Sequence, residues 1–332
     1  MKICITVYYE LRESLLSASS ELEKYNYQIT SYPLFAKNKE LDNDKLFEDF
    51  NQFIFQHKPD GILWWCMTIN TKIFVDLKNS NQYLKYWLFN WDDPYNFRLN
   101  EFDLKAKYFD CVFITSLGNV NNYLAHGAKQ AIYSLPGYDP SYYYPIDNIE
   151  YKYDISIVLT NLYSDSNLYP DQITNRHNLV SIIYNGQIKY NYKFAIFGPE
   201  FLKNIYPLSY QGYCKYQDLN MIFNTSRINL STHVVGNVDG YLNERTITLI
   251  GSGSLILIDD VNGLSLNLKP NYHCLILDIS DPCKQIQDIL NNFDKYQFIK
   301  KNVIEIRHHF KWAYWAQIIN KYITDSFYEL ND

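Results

Sequence analysis

The stretch from Arg227 to Ile258 reads as strand, loop, helix, Gly-punctuated break and strand. Its loop and first helical turn gather Asn237, Asp239, Gly240, Tyr241, Asn243, Glu244 and Arg245. Backbone N–H groups left free at a helix start, with an Arg beside them, suit a phosphate, because the amides favour an anion and a guanidinium grips two oxygens at once. The same residues also read as an ordinary capped helix, with Asn243 as N-cap, Glu244 favourable against the dipole and Arg245 in solvent. Residue types alone give these two readings equal weight. Gly251-Ser252-Gly253 lies after a helix and before a strand, the reverse of the dinucleotide-binding order, and fits a helix C-terminal break.

Two other loops carry reactive residue types. Between Trp87 and Tyr95, Asp92 and Asp93 follow an apolar strand and precede Pro94. One of two adjacent carboxylates can be raised in pKa and serve as a general base, or it can orient a hydroxyl, while the Trp rings stack on a sugar face. The plain alternative is a turn, since Asp before Pro is a common turn initiator. In the second half, Asn161 follows a strand, Arg176 and His177 sit on the next helix, and Phe197–Glu200 closes a strand with Gly198 and Pro199. Gly198 would let a nucleotide approach the backbone, or it is simply a turn. His233 could face a ligand from a strand end, whereas His308 and His309 lie on the tail. No HxxH or HExxH spacing and no G-x-S-x-G elbow occurs, so neither a metal centre nor serine hydrolase chemistry is expected.

Short β-branched and aromatic runs that alternate with helix-like segments must position these loops. Strands are predicted at Ile3–Tyr9, Tyr27–Tyr32, Gly61–Met67, Tyr86–Asn90, Cys111–Thr115 and Ala131–Leu135. A second series follows at Asp154–Thr160, Tyr192–Phe197, Ile228–Thr232, Ser254–Asp259 and Cys274–Asp278. Helices are predicted at Glu10–Tyr25, Asp44–Gln56 and Asn119–Ala125, with a helical tail from Lys284 to Phe327 striped by Trp312, Trp315, Ile318, Ile319 and Tyr322. Runs apolar on both faces, such as ILWWCM, suit a sheet covered by helices on both sides. With Pro145–Tyr151 as linker, residues 1–148 and 149–332 form two doubly wound halves, the tail assigned to the second and docking back across both. Ligands in such sheets lie beyond the strands' carboxyl ends.

The chain has 332 residues, 47% apolar and 20% charged, with a net charge of −6 and no Lys/Arg run, which argues against disorder and against nucleic acid as partner. The six cysteines include no CxxC pair and are read as reduced, which implies a cytoplasmic setting. Asn229 begins a sequon inside a strand that should be buried, so a glycan there is not expected. No run approaches the roughly 20 apolar residues of a membrane span.

The second half resembles the glycosyltransferase-like proteins related to the spore maturation protein CgeB, within the GT-B fold group. That family's pattern is roughly N-x-R-x-F-E, a small-residue helix, Gly, and an apolar strand ending in Asp. Asn243, Arg245 and Ile247 fall at the Asn, Arg and Phe places, Gly253 at the Gly, and LILID supplies the strand. FAIFGPE, the Arg176 helix, the segment SYQGYCKYQDLNMIFNTSRINLS and His308 with Phe310 are also similar to family elements. In the first half only WDDP resembles a family loop.

The resemblance implies a GT-B architecture: two Rossmann-like doubly wound domains facing a cleft, with a C-terminal helical tail. It also implies a metal-independent transferase moving a sugar from a nucleotide-diphosphate donor to a glycan, protein or small-molecule acceptor. No cofactor beyond that co-substrate is expected, and the oligomeric state is left open. Asn161, Gly198, Pro199, Asp239, Gly240, Tyr241, Asn243, Arg245 and Thr248 would line the donor site, with Asp92 and Asp93 as catalytic residues at the acceptor. Thr248 stands where the family has a Glu expected to hold the donor ribose. Losing one charge-assisted hydrogen bond would weaken donor binding by roughly ten- to a hundredfold. That departure keeps two alternatives open, an idle GT-B binding or structural protein and a nucleotide-sugar epimerase.

Overall fold

The structure, a computed structural model, describes residues 1–11, 13–91, 96–159, 170–233 and 235–328. It divides into two compact units, Met1–Gly137 with Trp312–Asp332, and Tyr138–Lys311.

The first unit holds six parallel strands: β1 (Lys2–Thr6), β2 (Gln28–Tyr32), β3 (Gly61–Trp64), β4 (Lys85–Asn90), β5 (Cys111–Ile114) and β6 (Ala131–Tyr133). Their order is β2-β1-β3-β4-β5-β6, so the winding direction reverses between β1 and β3. Period-2 alternation splits β3 and its extension between two cores. Ile62 and Trp64 join Phe50, Phe74 and Tyr86 on one face, while Leu63 and Trp65 join Ile5, Phe89 and Phe113 on the other. Trp87 also lies fully in the second core, its indole N–H donating to Ser326 Oγ at 3.2 Å. That corrects the expectation that its ring stacks on a sugar face.

The helix Trp312–Tyr328 belongs to this first unit, and the second unit begins at Tyr138, ahead of the expected linker at Pro145–Tyr151. The reason is coverage: a parallel sheet buried on both faces needs helices on both. The stripe of Trp312, Trp315, Ile319 and Ile323 closes the second core beside the helix Glu13–Glu23, and Asn320 accepts a hydrogen bond from Tyr27 at 2.6 Å.

The second unit is also all parallel: β7 (Tyr153–Val158), β8 (Phe194–Phe197), β9 (Tyr210–Gly212), β10 (Ser226–Ser231), β11 (Ile256–Ile258) and β12 (Leu275–Ile276). The order β12-β11-β10-β7-β8-β9 is the doubly wound dinucleotide-type arrangement, with its reversal between β7 and β10. Asn229 is buried in β10, bonded to Ser156 and to the Phe223 carbonyl. All six cysteines are free. Among the described residues no helix is long and apolar enough to cross a membrane.

Candidate functional site

The chain winds away from β7 and β10 in opposite directions, and in open sheets of this type ligands bind beyond the carboxyl ends of the strands at such a switch point. The helix Glu244–Gly251 starts there. Asn243 is its N-cap: the side-chain oxygen accepts from Thr246 N at 2.9 Å, while Nδ2 donates to the Thr232 carbonyl at 2.9 Å. Ser231 and Thr246 hydroxyls meet at 2.8 Å. The helix start is thereby tied to the end of β10 by side chains from both. At the other end Gly253, at φ +64°, closes a Schellman turn in which Gly253 N bonds Ile250 O and Ser254 N bonds Leu249 O.

Arg245 is the exceptional residue. It is half-buried overall, but its Nη1 is fully covered and has no hydrogen-bond partner among the described residues. Burial pushes its pKa down to about 9, the Arg176 guanidinium acts in the same direction, and Asp259 and Tyr241 oppose the shift. Arg176 is buried and donates from Nε to Thr232 Oγ1 at 2.9 Å.

Asp259 does not fill the gap. Its Oδ1 accepts from His233 Nδ1 at 2.6 Å and its Oδ2 from His233 N at 2.7 Å. The carboxylate only accepts, so Nδ1 carries the proton and Nε2 faces Thr246 Oγ1 at 3.4 Å. The carboxylate that acts on Arg245 is therefore one that a histidine already holds twice. A multi-oxygen anion fits that imbalance, and the neighbouring helix amides add to the attraction.

The other expected donor residues are placed as follows. Asp239 is exposed in the β10 loop, whereas Gly240 is buried, with its N–H on the Asn262 carbonyl at 2.9 Å. Asn262 also reaches the carbonyls of Gly236 and Asn237, so the loop after β11 staples the loop after β10. Tyr241 sets its ring edge-on to His233 at 5.9 Å. Thr248 is buried, and its hydroxyl donates to the Arg245 carbonyl at 2.9 Å, a bond inside its own helix.

Gly198 and Pro199 follow β8. A Cβ on Gly198 would run into the Leu159 carbonyl and lie 2.7 Å from Leu202 Cδ1, so neighbouring chain alone demands glycine there. Gly198→Ala is expected to lower stability by about 2–4 kcal/mol, read by urea unfolding, because both the backbone conformation and the overlap oppose it. Asn161, Asp92 and Asp93 lie outside the described residues. Thr232, His233 and Asp259 complete the cluster around Arg245. Their signal in the sequence was position alone, at the carboxyl ends of adjacent strands.

Residues 178–320 match a family described as glycosyl transferase-like. No curated protein matches the sequence. Among solved structures, sucrose-phosphate synthase from Thermosynechococcus elongatus superimposes with a TM-score of 0.72 at 12% identity, covering 99% of both chains. HepE from Anabaena, in complex with UDP-glucose, gives 0.68 at 11% identity over 98% of this chain and 100% of that one. A glycosyltransferase from Rickettsia africae gives 0.62 at 14% identity, covering 98% of each chain. In its fold the chain is similar to GT-B glycosyltransferases, and the matched glycosyl transferase-like segment includes Thr232, His233, Arg245 and Asp259.

Proposed function

We propose that the protein transfers a glycosyl group from a uridine diphosphate sugar to a hydroxyl acceptor, and that it belongs to the CgeB-like branch of these enzymes. The observation that carries the donor site is the covered Nη1 of Arg245, without a hydrogen-bond partner among the described residues, beside Arg176 and a capped helix start. The UDP-glucose held by HepE, a protein of the same fold, supports uridine as the base.

In the reaction the bond from the sugar's anomeric carbon to the diphosphate oxygen breaks, and its electron pair stays with the nucleotide. A new bond forms to the acceptor oxygen, whose proton must leave. Arg245, Arg176 and the first amides of the helix neutralise the leaving diphosphate, so no divalent cation is needed for that purpose. Asp92 or Asp93 takes the acceptor proton, and Asn161, Gly198 and Asp239 border the donor.

Titration calorimetry against UDP, GDP, ADP and CDP tests this, together with donor turnover in the presence and absence of EDTA. UDP is expected to bind most tightly, and turnover to persist in EDTA. Absence of binding by every nucleotide at millimolar concentration would remove the donor site. Isomerised donor sugar formed without any acceptor would show an epimerase instead.

A further inference from the structure

Asp259 follows β11, and its charge acts on Arg245 against the effect of burial. Yet among the described residues its ion pair is with His233 and not with the guanidinium. The imidazole is fully enclosed, whereas the carboxylate is partly solvated. Each carboxylate oxygen accepts one bond from the histidine, Oδ1 from the ring at 2.6 Å and Oδ2 from the main-chain N–H at 2.7 Å. The far edge of the same ring lies 3.4 Å from the hydroxyl of Thr246, the neighbour of Arg245 in sequence. The imidazole therefore stands between the carboxylate and the first turn of the helix Glu244–Gly251. Asp259 N also bonds the Ser231 carbonyl at 3.2 Å, which fixes the backbone that carries the acid.

Left to itself, an aspartate beside such an arginine would close on it. Carboxylate–guanidinium contacts are among the strongest hydrogen-bonded pairs, and Arg245 Nη1 has no partner among the described residues. The closed pair would consume the donors that an incoming anion needs, and the anion would first have to break it. We propose that His233 is a positioning residue that holds Asp259 off Arg245, so that the guanidinium stays open to the donor diphosphate. The inference rests on the transferase reading above. Swinging either carboxylate oxygen to the guanidinium costs a bond already made to His233. From its tethered place the carboxylate still offsets part of the cost of a covered cation, without a direct contact for the ligand to displace. A His–Asp pair that only braced the loop after β10 would behave differently: losing the imidazole would weaken the fold and leave Arg245 and Asp259 apart.

Titration calorimetry with UDP on the whole protein tests the proposal in three variants: His233→Leu, His233→Asn, and His233→Leu combined with Asp259→Asn. His233→Leu leaves Oδ1 without its bond, and UDP affinity is expected to fall about tenfold. An asparagine amide donates to Oδ1 in place of the ring, so His233→Asn is expected to stay within about threefold of the parent. Removing the negative charge in the double variant is expected to restore the parent's affinity or exceed it. A second measurement needs no ligand: a double-mutant cycle of Arg245→Met and Asp259→Asn, read by urea unfolding in the parent and in the His233→Leu background. The coupling is expected to grow about tenfold, as a ratio of unfolding equilibrium constants, once the imidazole is gone. Equal coupling in both backgrounds, a His233→Leu chain that does not fold, or a loss of UDP affinity that Asp259→Asn does not restore would overturn the proposal. So would unchanged affinity in His233→Leu, or an equal loss in His233→Asn. Increased coupling in a protein that binds no UDP would sink the donor reading and leave the role of His233 standing. UDP binding with equal coupling would do the opposite.

Discussion

Arg245→Met is expected to cut donor turnover by about two to three orders of magnitude, the usual effect of removing one preorganised charge-stabilising donor. UDP affinity should fall about ten- to a hundredfold in the same variant. Stability should move the other way. A guanidinium whose covered Nη1 has no hydrogen-bond partner among the described residues, with a second arginine beside it, is unfavourable in the empty protein. An apolar side chain of similar length removes that penalty, so a gain of about 1–2 kcal/mol is expected. Steady-state donor hydrolysis, calorimetry and thermal unfolding read the three effects separately. Unchanged turnover would eliminate the diphosphate role, and a large loss of stability would show that Arg245 serves the fold.

Asp259→Asn is expected to destabilise the empty protein by about 2–3 kcal/mol, less than a fully buried pair because the carboxylate is partly solvated. The substitution removes the charge that opposes Arg245 and breaks one of the two bonds to His233. UDP brings its own negative charge to the two guanidiniums, so its thermal stabilisation should be larger in the variant than in the parent. Urea unfolding with and without UDP checks both halves. An equally stable variant, or equal stabilisation by UDP, would mean that the carboxylate does not balance the arginines.

Much of the fold was legible because local chemistry and global fold agree. The predicted strands overlap eleven of the twelve observed, since each is a compact β-branched or aromatic run. Asn243 as cap and Gly253 as helix stop follow from backbone hydrogen bonding that operates over a few residues. What escaped is tertiary. The three residues Tyr210–Gly212 are too few to show a period, and the helices Leu34–Glu40 and Thr71–Ser80 carry little apolar stripe outside their buried contacts. The stripe on Trp312–Tyr328 announced packing without naming its partner, because any open sheet face would satisfy it. The state of Arg245 depends on Arg176 and Asp259, residues 69 positions before it and 14 after it. No local pattern distinguishes a solvated arginine from one whose Nη1 is covered.

The return of Trp312–Tyr328 to the first unit makes the second unit an insertion between two parts of its neighbour. On the ribosome, β7 to β12 can finish pairing before the helix that closes Ile5, Phe89 and Trp87 has been synthesised. The half translated first is therefore the half completed last. Until that helix emerges, one sheet face exposes tryptophan and phenylalanine, which makes that interval of synthesis the one most vulnerable to aggregation.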